Sequence, residues 1–398
     1  MWKTILLLFC FSSAVSQNAL FLYHKAVSCQ KLLKYDSALY YFNRSLEIIE
    51  DTVVMLQKSR CVALTANYNE AILPALKVAE AGNNWGWLYA ARYASFAKQT
   101  DSSFNYLENY LKFKDRLPDN VIRTDTSFKN INSSYRWEKM WKDLKHDDWT
   151  DFKADVYYRL QRNEYTVLFD ILDQGLEKYS DKDEFFYYRY LTFSATKNYK
   201  GALKNIKRAI KLNPQHSVYY LSFARSMVMQ KAYKEAVKNY EKYLKMYPYD
   251  INIYPEFVTN CINSAQYDKS IENATYYLQF FEKDVNVLFD LAIATEKKKE
   301  YKKAIDLYTS VLNIDGRFFD AYFRRGMCYY EMSDWDNAFN EFTLTLDLKP
   351  RSGEVFYYRG IARLNKGDKV GACRDFERAK SYNYLQATEY MMKICKGL

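Results

Sequence analysis

Apolar side chains recur along this chain at the three- and four-residue spacing of amphipathic helices, and blocks of that pattern themselves repeat with a period of about 34 residues. "FYYRY" at 186–190 and "FYYRG" at 356–360 lie five such periods apart, and "YFRRG" at 322–326 falls one period before the second. Frames of this length start at Trp149, Asp183, Ser217, Ile251, Val285, Phe319 and Gly353 without a gap. Position 20 of these frames holds Leu168, Ala202, Ala236, Ser270, Ala304, Ala338 and Ala372, mostly small side chains that let two helices cross closely. Position 24 is apolar throughout, with Leu172, Ile206, Tyr240, Ala274, Tyr308, Phe342 and Phe376. Position 8 is small at Ala224, Ala292, Gly326 and Gly360, and Pro214, Pro248 and Pro350 at position 32 stop a helix. In-phase turns such as "AYK", "QYD" and "GDK" divide each frame into two helices.

The pattern resembles the tetratricopeptide repeat (TPR) family, most fully in "AYFRRGMCYYEMSDWDNAFNEFTLTLDLKP", where Tyr322, Gly326, Tyr329, Ala338, Phe342 and Pro350 are in register. Three weaker frames start at Ala19, Thr52 and Asn84, the first carrying Ala38 and Phe42 in "KYDSALYYFNRSLEI". The resemblance implies an all-α fold: a right-handed α-solenoid of about ten helix-turn-helix hairpins, each burying its apolar face against its neighbours.

Departures from the pattern set the domain boundaries. The step from Asn84 to Trp149 is nearly twice the period. The chain therefore reads as a signal peptide (1–16), an N-terminal array of three repeats (17–115), an irregular insertion or degenerate repeat (116–148), a C-terminal array of seven repeats (149–384) and a capping helix (385–398). The insertion opens with turn character and continues as "YRWEKMWKDLKHDDW", a helical pattern that predicts Trp137, Trp141 and Trp149 on one side. Pro74 predicts a kink inside a second helix, whereas Pro255 fits a first turn.

Composition agrees with helices and narrows the setting. The 398 residues include only 11 Gly and 6 Pro against 49% hydrophobic residues, with 39 Tyr. At the start, Lys3 precedes an apolar run at 5–11 and the small residues Ser12, Ser13, Ala14 and Ser16, the order of a secretory signal peptide cleaved before Gln17. No later segment has the roughly 20 apolar residues of a membrane span. Together with abundant Lys, Asn and Tyr, this predicts an exported protein of the periplasm, envelope or exterior of a Gram-negative, Bacteroidetes-like bacterium. The net charge of +10 is modest for this length. The basic clusters Lys204, Lys207, Arg208, Lys211 and Lys297, Lys298, Lys299, Lys302, Lys303 lie at helical spacing between apolar positions, which predicts solvated faces and no nucleic-acid partner.

Candidate chemistry is sparse. His24, His146 and His216 are scattered and no Cys-x-x-Cys occurs, so neither a metal site nor a cofactor is predicted. No phosphate-binding glycine loop or nucleophile arrangement appears, so the chain is read as not an enzyme. Cys29, Cys61, Cys261 and Cys328 fall at packing positions of first helices. Cys373 and Cys395 fall on the last repeat and the cap, where export would permit a disulfide.

Binding is the function that the resemblance implies, because such hairpins line a concave groove with first-helix positions 2, 5, 9, 12 and 13, among them the pair at 5 and 9. Here these are Tyr187 and Leu191, Leu221 and Arg225, Phe289 and Ile293, Phe323 and Met327, Tyr357 and Ile361, an apolar and aromatic set. Arg60 and Arg92 share position 9 of adjacent frames and are placed to hold an acidic segment. The reading is a non-catalytic scaffold that takes a protein or peptide partner in its groove. One alternative is a subunit or assembly factor of an envelope or secretion complex, binding through the insertion or convex face. Another is a carbohydrate-binding or enzyme-associated accessory protein. Within residues 355–364, Arg359 at position 7 is expected to face Asp375 at position 23, as Arg325 faces Glu341, in an ion pair worth at most about 1 kcal/mol if exposed. Tyr357 is then the one ring of that stretch left for a partner.

Overall fold

The computed structural model describes residues 14–144 and 147–395, which form α-helices and short 3-10 turns with no strand among them. The expected signal peptide falls largely on residues 1–13, outside the described residues; from Ala14 onward the chain is already helical. Two compact units form, one ending at Ile251 and the other beginning at Asn252. The division cuts the seven-repeat array read from the sequence. A physical reason lies in the loop at 247–250, which packs back on the first two hairpins and so gathers everything before it into one body.

The first unit starts with three hairpins: α1 (Ala14–Lys31) with α2 (Tyr35–Ile48), α3 (Thr52–Leu64) with α4 (Tyr68–Glu80), and α5 (Trp85–Phe96) with α6 (Thr100–Leu111). The insertion contributes α7 (Asp119–Arg123), a 3-10 turn (Thr126–Phe128) and α8 (Tyr135–Asp143). Three more hairpins follow: α9 (Asp148–Gln161) with α10 (Tyr165–Tyr179), α11 (Asp183–Ala195) with α12 (Tyr199–Leu212), and α13 (Ser217–Met229) with α14 (Tyr233–Met246). The second unit holds α15 (Tyr254–Asn263) with α16 (Tyr267–Leu278), α17 (Val285–Lys297) with α18 (Tyr301–Ile314), α19 (Phe319–Glu331) with α20 (Trp335–Leu348), α21 (Gly353–Asn365) with α22 (Lys369–Ser381), and the cap α23 (Ala387–Ile394).

The repeat positions explain why these segments pair. At position 20, Ala38, Ala71, Ser103, Leu168, Ala202, Ala236, Ser270, Ala304, Ala338 and Ala372 are all fully buried, so every hairpin closes on that side chain. At position 24, Phe42, Leu107, Tyr240, Tyr308, Phe342 and Phe376 fill the space beside it, each ring or branched chain worth about 2 to 3 kcal/mol of burial. The close crossing at position 8 is tight where it is glycine: a Cβ on Gly360 would stand 2.7 Å from the Phe376 ring, and one on Gly326 2.8 Å from Phe342.

Each first helix ends in the same way, at position 15. Leu33, Ala66, Lys98, Asn163, Lys197, Lys231, Ala265, Lys299, Ser333 and Gly367 all sit in the left-handed region, with φ from +57° at Asn163 to +87° at Gly367. The next amide closes the helix C-terminus by bonding back five residues, as Asn198 N does to Phe193 O at 2.9 Å and Gln266 N to Cys261 O at 2.8 Å.

The insertion is a cover for the third hairpin. Ile122, Phe128, Ile131, Trp137 and Trp141 form one buried cluster with Leu88, Ala91, Phe104, Leu107 and Tyr110. Arg136 of α8 pins the outside, donating to Glu108 Oε1 (3.0 Å), Asn105 Oδ1 (2.9 Å) and Asp101 Oδ1 (3.2 Å). Trp137 and Trp141 pack edge to face at 5.5 Å, but Trp149 does not join them. It sits on α9, stacked on Phe152 and tilted against Tyr179, because α8 ends at Asp143 and its helical spacing does not carry on to Trp149. Pro74 does not end its helix: α4 runs through it, with Ala71, Ile72, Ala75 and Val78 buried on both sides of the missing amide. Pro255 lies in the first turn of α15 as expected.

In the second unit the cap α23 closes the last hairpin. Tyr390 packs on Tyr357 (5.6 Å) and Phe376 (5.3 Å), and Cys395 is placed as a disulfide with Cys373, Cα atoms 5.8 Å apart. Among the described residues no helix is long and apolar enough to cross a membrane.

Candidate binding groove

Positions 5 and 9 of two first helices, α9 and α11, converge on a cavity of about 560 Å³. Lys153 and Tyr157 reach it from α9, Tyr187, Tyr188 and Leu191 from α11, and Tyr219 from α13, with His216 at the entrance to α13. The linker at 115–118 forms the facing wall. Two of the residues expected in the groove, Tyr187 and Leu191, are thus brought together.

Each wall is held by its own bonds. Tyr219 donates to Asp183 Oδ2 (2.8 Å), which also accepts from Asn213 (2.9 Å), fixing the start of α11 to the loop before α13. His216 stacks on Tyr219 with ring centres 4.1 Å apart and 9° between planes, and its buried Nδ1 has no protein partner among the described residues. Tyr187 lies 5.1 Å from Tyr219 and 5.7 Å from Tyr190, making a short aromatic stack. On the linker, Asp115 accepts from Asn84 Nδ2 at 3.1 Å, and Arg116 pairs with Asp119. Lys153 is buried, yet its Nζ donates to Lys114 O at 3.2 Å and lies 3.6 Å from the Glu184 carboxylate. Its charge is therefore compensated within the site.

Burial pushes the phenols of Tyr187, Tyr188 and Tyr219 above the usual tyrosine range; for Tyr219 the Asp183 carboxylate adds to the effect. These hydroxyls stay protonated, and they offer hydrogen bonds and ring faces rather than a base or nucleophile. The site can grip an uncharged or internally balanced segment by stacking and hydrogen bonding. Lys153 and Tyr157 occupy positions 5 and 9 of the first full frame, so extending the position rule to Trp149 would have named both; nothing in the sequence pointed to the linker wall.

The other expected groove residues lie elsewhere. Leu221 is buried and Arg225 exposed on α13, and neither lines the cavity. In the second unit, Phe289 packs on Phe318 (4.8 Å) and Tyr308 (5.7 Å), and Phe323 on Phe342 (6.0 Å) and Tyr358 (6.2 Å). Ile293 and Met327 are half-buried, and Ile361 is buried. Tyr357 is covered by Tyr384 and Tyr390, so the ring that the sequence left for a partner is taken by the cap. Arg92 donates to Asp125 Oδ2 at 2.7 Å: the acidic segment expected at this pair of arginines is supplied there by the chain's own insertion. Arg60 donates to Gln57 (3.1 Å) and shares the Tyr89 ring with Arg92, at 5.7 and 5.2 Å. The basic clusters on α12 and around the α17–α18 turn are exposed, as expected of solvated faces.

Comparison with known proteins bears on the repeat. The tetratricopeptide repeat family profile matches residues 320–347. A search of curated protein sequences finds no match. Among solved structures, MamA is 20% identical over 46% of this chain and 97% of its own, with a TM-score of 0.39. YrrB, described as a TPR protein with an unusual peptide-binding site, is 17% identical over 47% of this chain and 97% of its own, with a TM-score of 0.39. The C-terminal part of a TPR repeat-containing protein from Cytophaga hutchinsonii is 15% identical over 60% of this chain and 98% of its own, with a TM-score of 0.49. The profile match covers the hairpin α19–α20, which is thereby a tetratricopeptide repeat, and its position 15 turn and buried positions 20 and 24 recur in phase through both units.

Proposed function

We propose that this protein is a non-catalytic scaffold of the cell envelope, exported by its N-terminal segment, that binds an extended segment of a protein partner in the cavity between α9, α11, α13 and the 115–118 linker. The observation that carries the reading is the cavity itself. Its volume of about 560 Å³ lies within the range of ligand pockets, and four tyrosines with Leu191 line it, while Lys153 lies beside Glu184, Arg116 pairs with Asp119 and Asp115 accepts from Asn84. A neutral aromatic site of this kind favours rings and backbone amides in a partner, with few rotamers to immobilise on its own side.

Selection of displayed dodecapeptides against the purified chain tests the reading. Peptides enriched on the wild type are expected to bind a Tyr187→Ser/Leu191→Ser variant at least tenfold more weakly, with the helical circular dichroism unchanged. Peptides that bind both chains equally would place the binding surface elsewhere.

A further inference from the structure

The loop at 247–250, Tyr-Pro-Tyr-Asp, departs from its equivalents. Pro214 and Pro350 occupy the same repeat position, flanked by Asn213 and Gln215 or by Lys349 and Arg351, whereas Pro248 is flanked by Tyr247 and Tyr249. The Pro214 carbonyl accepts locally, from Tyr220 six residues on, at 3.1 Å. The Pro248 carbonyl instead meets His24 Nε2 at 3.0 Å, 224 residues away in sequence. With a carbonyl as its partner, that nitrogen must carry the proton and donate. The Tyr249 hydroxyl donates to Asp51, 198 residues away, and the Tyr249 ring stands edge-on to Tyr23 at 5.3 Å. Hairpins in a stack touch their neighbours, and contacts across such separations are of another kind.

The receiving side is built for this contact. Asp51 divides its carboxylate: Oδ1 caps α3 through the amides of Val53 (2.7 Å) and Val54 (3.3 Å), leaving Oδ2 for the Tyr249 hydroxyl. His24 is fully buried and Tyr23 nearly so. Tyr23 stands at position 5 of its frame and Arg60 at position 9, two of the positions that face the groove of a stack of this kind. On the loop, Asp250 accepts from Tyr243 at 2.8 Å, which holds the turn, and Tyr247 packs edge-on to Tyr249 at 5.5 Å.

We propose that α1 and α3 carry a second peptide-binding surface, that it recognises an aromatic–proline–aromatic–acidic segment, and that the chain's own 247–250 loop is its resident occupant, displaced by a partner protein bearing such a segment. Recognition includes the contacts of the proline carbonyl to His24, the tyrosine hydroxyl to Asp51, and the ring edge to Tyr23. The proline fixes its own φ within the turn at 248–249, which limits the ordering cost of binding. A tethered occupant competes at an effective concentration of order millimolar, and a partner must overcome that competition to enter. This surface is distinct from the 560 Å³ cavity, and substitutions at Tyr187 and Leu191 leave it untouched, so the two readings stand or fall separately.

The probe is a fluorescein-labelled peptide with the sequence of residues 245–252, KMYPYDIN, titrated by anisotropy into the full chain. A Tyr247→Ser/Tyr249→Ser variant, whose own loop lacks its anchors, is expected to bind at least tenfold more tightly than the wild type. Adding Tyr23→Ser to that variant is expected to abolish binding. No binding to the loop variant, its helical circular dichroism intact, overturns the proposal. If the loop variant does not fold, hydrogen exchange of the wild type with millimolar peptide decides: faster exchange confined to 243–251 supports displacement, and unchanged exchange overturns it. Dimers of the wild type joined by exchange of this loop would assign the surface to a second copy of the chain and overturn it equally.

Discussion

Arg359 and Asp375 form a two-pronged ion pair between the helices of the last hairpin, Nε to Oδ2 at 2.9 Å and Nη2 to Oδ1 at 2.7 Å, with the Asp375 side chain only 2% exposed. The same relation, sixteen residues forward, joins Arg325 to Glu341 at 2.8 Å. Each arginine also reaches sixteen residues back, Arg325 to Thr309 (2.8 Å) and Arg359 to Thr343 (3.5 Å), so one guanidinium ties two successive second helices together. The sequence pointed to the pairing, but the ceiling of about 1 kcal/mol belongs to an exposed pair and this one is buried. Asp375→Asn leaves the part-buried guanidiniums of Arg359 and Arg363 without this counter-charge and is expected to cost about 3 kcal/mol. Arg363 Nε also lies 3.5 Å from Asp375 Oδ2, so it is the joint replacement Arg359→Met, Arg363→Met and Asp375→Leu that is expected to cost much less. Hydrogen exchange of α21 and α22 checks both, since a stack of repeats need not unfold in one step.

The position 15 turns make the opposite kind of prediction, a gain. Lys231 holds φ at +58°, where a side chain with a Cβ is strained by about 1 kcal/mol and glycine is not. Lys231→Gly is expected to raise stability by up to about 1 kcal/mol, less the entropy that glycine adds to the unfolded chain. Gly367→Ala, at the same position with φ +87°, is expected to lower it by a similar amount. Urea midpoints of the two variants against the wild type decide. A loss in Lys231→Gly would show that the lysine makes a compensating contact.

Much of this fold was legible because its determinants are periodic. Ala338 and Phe342 recur one period later as Ala372 and Phe376, and a side chain that must be small or apolar for packing announces itself by recurring. The left-handed turn at position 15 recurs as faithfully in the backbone, yet its residues range from Leu33 through Lys197 to Gly367, so composition concealed it. The groove was half legible for a related reason. Tyr187 and Leu191 could be placed from their repeat position, but the wall at 115–118 comes from a segment outside the period, and whether Tyr357 faces a partner or a cap depends on the chain beyond the last repeat. The docking of the 247–250 loop on His24 and Asp51 joins residues with no sequence relation and left only one trace, the aromatic flanks of Pro248.

The cap gives a redox prediction. Cys373 and Cys395 enclose a sequence separation of 22 residues, which on the chain-entropy model contributes roughly 3 kcal/mol by restricting the unfolded chain. Alkylation without reductant, followed by peptide mass mapping, is expected to recover the 373 and 395 peptides joined. Cys395→Ser is expected to loosen α23 and expose Tyr357 and Tyr390, read as faster exchange of 387–394 with the hairpins before α21 unchanged. Two separately alkylated cysteines in protein isolated from an oxidising compartment would rule the bridge out.

His24 sets the response of the first unit to acid. Burial lowers its pKa to about 4, against the smaller opposing pull of the Pro248 and Tyr249 backbone and the Asp250 carboxylate. In the unfolded chain the same imidazole titrates near 6.5. Above that value both states are neutral at this residue, and the bond to the Pro248 carbonyl contributes in full. As pH falls below about 6.5, the unfolded chain takes up a proton that the folded chain refuses until about 4, so stability declines through that window, by up to about 3 kcal/mol at its lower end. Urea titrations of the full chain between pH 7 and pH 4.5, followed by exchange in α1 and α3, are expected to show this decline. His24→Gln keeps an amide donor for Pro248 without a titrating group and is expected to flatten most of it. A slope that survives the substitution unchanged would transfer the effect to other groups, and the loop at 247–250 would then be held independently of the charge on His24.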